Sequence, residues 1–155
     1  MVKKCDNKSV GILVRKGSDL LLIERKLPPY GFAPPAGHVD DHGSFEKAAR
    51  AELKEEVGLD TENLQLIKEG VMDNPCRREG GSWHCWQIFE ANVSGEIVGS
   101  ERETKQVGWH NEASLQLLGK RTEDYQAGLI TEKEWETAPG IEPVWHDWFI
   151  SIGIL

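Results

Sequence analysis

The chain has 155 residues, enough to bury one proper core, and is read as a single domain over residues 1–155. Its hydrophobic content of 39% and charged content of 28% are ordinary for a soluble globular protein. A net charge of −8, with no basic cluster beyond a few residues, argues against nucleic acid as a partner.

A phosphorylated small molecule stays open, because bound metal reverses the local field. Met1 to Lys8 leads to no apolar signal-peptide core, and no apolar run approaches membrane-spanning length. The expectation is a cytoplasmic protein with no membrane partner.

Ser9 to Arg15 and Leu20 to Glu24 are short apolar runs separated by Lys16-Gly17-Ser18-Asp19, which is turn chemistry, so they predict a hairpin. Arg25 and Lys26 close the second strand. Arg25 is a candidate phosphate contact, with solvated strand-end charge as the alternative. Leu27 to Ala36 holds Pro28, Pro29, Gly31, Pro34 and Pro35 and predicts a stiff loop rather than a regular element. Tyr30 and Phe32 on it are candidates to stack on a base, or else plug the core. His38, Asp40, Asp41 and His42 read as loop-capping residues.

A helix is predicted from Ser44 to Gly58. Ser44 suits the N-cap, Glu46 sits where the helix dipole favours negative charge, and Gly58 suits the C-terminal stop. At about 100° per residue, Phe45, Ala49, Leu53 and Val57 form an apolar stripe. Glu52, Glu55 and Glu56 cluster on a bordering arc, while Lys47, Arg50 and Lys54 point away. Like charges at these spacings destabilise a helix, and a divalent cation held by oxygen ligands would remove the penalty. A solvated acidic face is the alternative reading.

Beyond the helix, Leu64 to Met72 predicts a strand that Asp73-Asn74-Pro75 breaks. Trp83 to Val93 predicts another, with Trp83, Cys85, Phe89, Ala91 and Val93 on one face; Trp83 and Trp86 are expected in the core. Three cysteines make no disulfide framework. A two-residue turn at Gly80-Gly81 would set Cys76 opposite Cys85, beside His84. A structural zinc site there lacks an evident fourth ligand, so two packed thiols are expected. Gly95 to Gln106 is a polar loop carrying Glu101 and Glu103. Val107 to His110 is a strand end, and Glu112 to Leu118 starts a helix with Leu115 and Leu118 inward. Thr131 and Glu134 form a capping box that starts a second short helix, ended by Pro139-Gly140. The tail from Ile141 to Leu155, with Trp145, Trp148 and Phe149, docks on the body or forms a homodimer contact.

The stretch from Gly37 to Leu59 resembles the Nudix box, G-x5-E-x7-R-E-U-x-E-E-x-G-U with U aliphatic. Gly37, Glu52, Leu53, Glu55, Glu56, Gly58 and Leu59 fill its positions; Gly43 stands where the family has Glu, and Ala51 where it has Arg. In the family those two residues brace the loop against the helix, and losing both together leaves no orphan charge. The resemblance implies an α/β/α sandwich with a mixed sheet. It implies metal-dependent hydrolysis of a nucleoside diphosphate linked to another moiety, a small-molecule nucleotide, with Mg²⁺ as cofactor and Mn²⁺ as the alternative. The Gly37 carbonyl, Glu52, Glu55 and Glu56 are then the expected metal ligands, Glu55 being a shared ligand or an orienter of water. Glu103 is the candidate completing ligand or general base. A proline at the distance of Pro75 from the box is associated in the family with ADP-ribose pyrophosphatases, so ADP-ribose or a nucleotide sugar ranks first. A module that binds a nucleotide without turnover, an enzyme acting on nucleoside triphosphates, and an interaction protein using the Trp-rich tail are the other readings.

Overall fold

The computed structural model describes residues 3–155. Strand β1 (Lys8–Lys16) is the centre of the fold. One edge pairs in parallel with β6 (His84–Ser94), and β6 pairs antiparallel with β5 (Asp60–Met72). The other edge is shared. Ser9 to Gly11 pair with β4 (Ala36–His38), and Arg15 and Lys16 turn into β2 (Asp19–Arg25). β2 continues the sheet to β3 (Phe32–Ala33) on one side and β7 (Thr104–His110) on the other, both antiparallel. The sheet is therefore mixed.

Its two faces carry different helices. Val10, Ile12, Val14 and Leu21 pack with Phe89 and Ala91 against Ala48, Ala49, Leu53 and Val57 of α1 (Phe45–Val57). On the opposite face Leu13, Leu20, Leu22, Trp86 and Ile88 pack against α2 (Glu112–Gln126) and α4 (Pro143–Ile152). Both faces are covered, which gives the α/β/α layering. Gly11 leaves the gap into which the Trp145 ring fits; a β-carbon there would overlap it. The tail thus docks on the body: Trp145, Trp148 and Phe149 are all buried. Burying each such side chain contributes about 1.5–3 kcal/mol.

α1 begins and ends as the sequence predicts. Ser44 Oγ accepts from the Lys47 N–H at 3.1 Å, and Gly58 adopts φ 72° and donates to Leu53 and Lys54 carbonyls. The short helix α3 (Glu132–Thr137) carries both halves of the Thr131–Glu134 capping box.

Other expectations are corrected. The Pro-rich loop is not wholly irregular, because Phe32–Ala33 and Ala36–His38 pair with β2 and β1. β5 starts at Asp60 rather than Leu64, since β6 offers partners along its whole length, with register shifts between Thr61 and Asn63 and between Leu66 and Lys68. β7 starts at Thr104 because Arg25 pairs with it, so the polar loop is shorter than read. Trp83 precedes β6 and is 43% exposed, whereas Trp86 is core. The Gly80-Gly81 turn does not continue the ladder: Cys85 pairs with Val71, and Cys76 lies outside the strands. Cys76 instead places its Sγ 3.8 Å from the Sγ of Cys5. No helix among the described residues is long and apolar enough to cross a membrane.

Candidate active site

A cleft of about 240 Å³ opens where β4 crosses the N-terminal half of β1 and α1 runs beneath. Gly37, Glu52, Glu56, Glu103, Arg25 and Pro75 all line it. Gly37 is required sterically, because a β-carbon at this position would run into the Glu52 carboxyl group. Glycine there lets the Glu52 carboxyl group lie directly against β4.

Glu56 is 6% exposed, and its Oε1 accepts the Ala36 N–H at 3.3 Å. Burial is the main force raising its pKa well above the usual carboxylate value; the neighbouring Glu52 adds to it, and Arg25 opposes it. Glu52 is pushed up to about 7, first by burial and then by Glu55, with Glu103 and Asp40 adding. Glu55 is exposed beside them. This cluster of carboxylates at the foot of a cleft carries more negative charge than its surroundings offset. Oxygen donors on a rigid helix, short of positive charge, suit a hard divalent cation.

Glu103 reaches the cleft because its loop is tied down. The Val98 and Ser100 N–H groups bond the Val57 and Glu56 carbonyls at the end of α1, and the Glu103 carbonyl accepts from the Lys26 N–H. Arg25 donates through Nε to the Pro29 carbonyl at 2.8 Å, which fixes the side chain along the wall. Its Nη atoms have no hydrogen-bond acceptor among the described residues. Glu142, buried and raised by that burial, stands 3.9 Å from Arg25 Nε.

Two of the expected substrate contacts are relocated. Phe32 is a core residue, 8% exposed, with its ring edge-on to His110 at 5.4 Å; pairing of β3 with β2 turns it inward, so it is the plug and not a base platform. Tyr30 lines a neighbouring depression of about 530 Å³, which shares Pro28, Pro29, Asn74, Pro75 and Glu142 with the cleft. Pro75 is exposed and lines both.

Sequence reasoning missed the device that holds the box loop. Asp40, at φ 46°, accepts two bonds from Arg78 and sits 3.3 Å from Lys3 Nζ, and its N–H donates to Asp6. The Arg78 guanidinium holds the Asp40 carboxyl below its usual range. No local motif links the two residues. Only the fold brings them together. Arg77, also on the cleft wall, was missed as well; its place after the Pro75 break was the available signal.

These features define a mixed-sheet α/β/α protein with an acidic helix under a cleft whose walls bear arginines. The chain belongs to the Nudix family: the NUDIX domain model matches residues 6–130, and the protein is a Nudix hydrolase, of a family of pyrophosphohydrolases that act on nucleotides and generally use divalent metals. Solved structures agree on the fold. A MutT Nudix hydrolase from Burkholderia pseudomallei is 23% identical, with a TM-score of 0.60 over 69% of this chain and 84% of its own. The MutT protein from Methanosarcina mazei is 14% identical, with a TM-score of 0.67 over 99% of this chain and 96% of its own. An Ap4A hydrolase from C. elegans is 23% identical, with a TM-score of 0.52 over 68% and 80%. No curated protein matches in sequence.

Proposed function

We propose that this chain hydrolyses the diphosphate bond of a nucleoside diphosphate linked to a second moiety, with ADP-ribose or a nucleotide sugar ranked first. The observation that carries this reading is the pair of contiguous depressions that meet at Pro75. A nucleoside diphosphate with a second moiety has two bulky ends, one for each compartment, and its diphosphate would pass between them beside Arg25 and Arg77. A nucleoside triphosphate has one bulky end and would leave the second compartment idle.

The Gly37 carbonyl, Glu52, Glu55 and Glu56 are the residues that would hold Mg²⁺, or Mn²⁺ in its place, with Glu103 completing the set or serving as general base. When bound, the cation offsets phosphoryl charge and lowers the pKa of water. The chain's own part is to align the carboxylates on α1, keep Gly37 against them, and offer the Nη groups of Arg25 to a phosphoryl oxygen. Glu103, a cleft residue whose charge is felt at Glu52 and Glu56, would accept a proton from the attacking water.

The test is a panel in Mg²⁺: ADP-ribose, nucleotide sugars, dinucleoside polyphosphates, coenzyme A, NADH and nucleoside triphosphates, at equal concentration. AMP release from ADP-ribose is expected to exceed hydrolysis of any triphosphate. A clear preference for triphosphates would reject the ranking and leave the family membership intact. Binding without turnover across the panel would identify a nucleotide-sensing module.

A further inference from the structure

At the end of the cleft away from the acidic helix, four side chains from four separate segments converge. Cys5 precedes β1, His38 ends β4, Cys76 lies in the loop after β5, and His84 opens β6. One ligand atom from each falls within 4.8 Å of the others. We propose that Cys5, His38, Cys76 and His84 form a structural Zn²⁺ site.

Two of the separations lie close to those a tetrahedral zinc imposes. Two thiolates each about 2.3 Å from one zinc stand about 3.8 Å apart, and a thiolate and an imidazole nitrogen about 3.6 Å apart. Cys5 Sγ and Cys76 Sγ are 3.8 Å apart, and Cys5 Sγ lies 3.3 Å from His84 Nε2. The donor set, two sulfurs and two imidazoles, is the one that selects zinc over hard cations. Four protein ligands close the coordination sphere, so the site is structural and not catalytic.

The surroundings are arranged as those of metal ligands are. His84 Nδ1 lies 3.0 Å from the Asn74 carbonyl, which takes the ring proton there and leaves the Nε2 lone pair facing the sulfurs. The Asn7 N–H donates to Cys5 Sγ at 3.3 Å, and the Arg78 N–H donates to Cys76 Sγ at 3.4 Å. In each case the donor is two residues beyond the cysteine; burial pushes the Cys5 thiol up, and the Asn7 bond opposes that shift. His38 Nε2 is buried with no hydrogen-bond partner among the described residues. Gly81 is glycine because a β-carbon there would strike Cys76 Sγ. The third cysteine, Cys85, is outside the group.

Binding involves no redox step. One Zn²⁺ displaces the two thiol protons, which leave to solvent, and gains two sulfur and two nitrogen bonds. The result is to tie the segment before β1, the end of β4, the Pro75 loop and the start of β6 into one wall of the cleft.

The test uses tag-free protein, stripped of metal under reducing conditions and titrated with Co²⁺ and then Zn²⁺. One equivalent of Co²⁺ is expected to give the visible bands of a tetrahedral ion and thiolate-to-metal charge transfer, and Zn²⁺ is expected to displace it. Excess Mg²⁺ should not compete. Cys5→Ser and Cys76→Ser should each weaken the charge transfer and the double variant should abolish it, while Cys85→Ser and Glu56→Gln keep it. On the unmodified chain, Zn²⁺ should protect two of the three thiols from alkylation and raise Tm by roughly 5 °C or more at saturation. This second measurement decides the matter if a serine variant fails to fold. Absence of the thiolate band in the wild type, its survival in Cys5→Ser/Cys76→Ser, or equal alkylation of the thiols with and without Zn²⁺ would overturn the site.

Discussion

Arg78 grips Asp40 through two N–H···O bonds, Nη1 to Oδ1 at 2.6 Å and Nη2 to Oδ2 at 3.0 Å. The pair joins the loop that follows Gly37 to the loop that carries Pro75. It ties down, by a long-range route, a loop that has lost the family's Glu–Arg brace at positions 43 and 51. Both side chains are about four-fifths shielded from solvent, so this pair is stronger than an ordinary surface ion pair.

Arg78→Ala should therefore lower stability by about 1–3 kcal/mol, read as a fall in denaturant midpoint at constant slope. Arg78→Lys should recover only part of this, since an ammonium cannot make both bonds. The acid limb should change too. The folded-state pKa of Asp40 is depressed, so its contribution is present above the ordinary aspartate pKa of about 3.9 and lost as pH falls below it. The variant should lose less stability on acidification through that window than the wild type. An unchanged acid limb would show that the pair contributes nothing.

Gly43 stands where the family's box has Glu. It closes the short turn at Asp40–His42 with φ 90°, where glycine alone is unstrained, and the space around it is open. Gly43→Glu should cost about 1–2 kcal/mol through the backbone, and Gly43→Asn less. Adding Ala51→Arg should return part of the loss by giving the new carboxylate a partner, and a double-mutant cycle on thermal stability measures that coupling. Additive effects would mean that the two positions do not meet in this chain.

How much of this was legible in the sequence depends on the range of the interaction. α1 could be read to the residue because its caps, stripe and acidic arc are local. The hairpin and the α3 capping box were legible for the same reason. β5 and β7 were read short because their extra residues are paired only by partners distant in sequence, not by their own pattern. The turn arithmetic at Gly80-Gly81 failed because it assumed an unbroken ladder, and Cys76 was therefore matched with Cys85 instead of Cys5. Phe32 could not be assigned between base platform and plug until β3 was seen to pair with β2. The Asp40–Arg78 bond, whose ends are 38 positions apart in sequence, has no local signature.

Glu56→Gln should separate stability from activity. A buried carboxylate whose pKa is raised opposes folding once it ionises, so the metal-free wild type should lose stability as pH rises above the ordinary carboxylate value of about 4.3. The amide has no such cost. In the absence of added divalent metal, the variant's Tm should exceed the wild type's at alkaline pH and match it more closely in acid. Turnover in Mg²⁺ should nevertheless fall by roughly two to three orders of magnitude, the scale for a group central to transition-state charge. Wild-type turnover in this variant would remove Glu56 from the metal-site proposal.

The last prediction follows from the same carboxylates. Glu52 is held up to about 7 by burial and by Glu55, and burial and Glu52 raise Glu56 well above the ordinary carboxylate value. The charge of Glu103 adds to the shift at both, while Arg25 partly opposes the shift at Glu56. Protons and Mg²⁺ should therefore compete for one set of oxygens. As pH rises from about 6 to 8, the Mg²⁺ concentration needed for half-maximal activity should fall, by up to about tenfold per pH unit for each proton displaced. The dependence should weaken above about 7, where Glu52 is ionised without metal and only the proton on Glu56 remains to be displaced. Glu52→Gln should make the Mg²⁺ requirement higher and less sensitive to pH. Turnover at saturating Mg²⁺ provides the control, because a loss of catalysis alone would lower it without moving the half-saturation point. A half-saturating Mg²⁺ concentration that stays constant across this range would show that these carboxylates do not hold the metal.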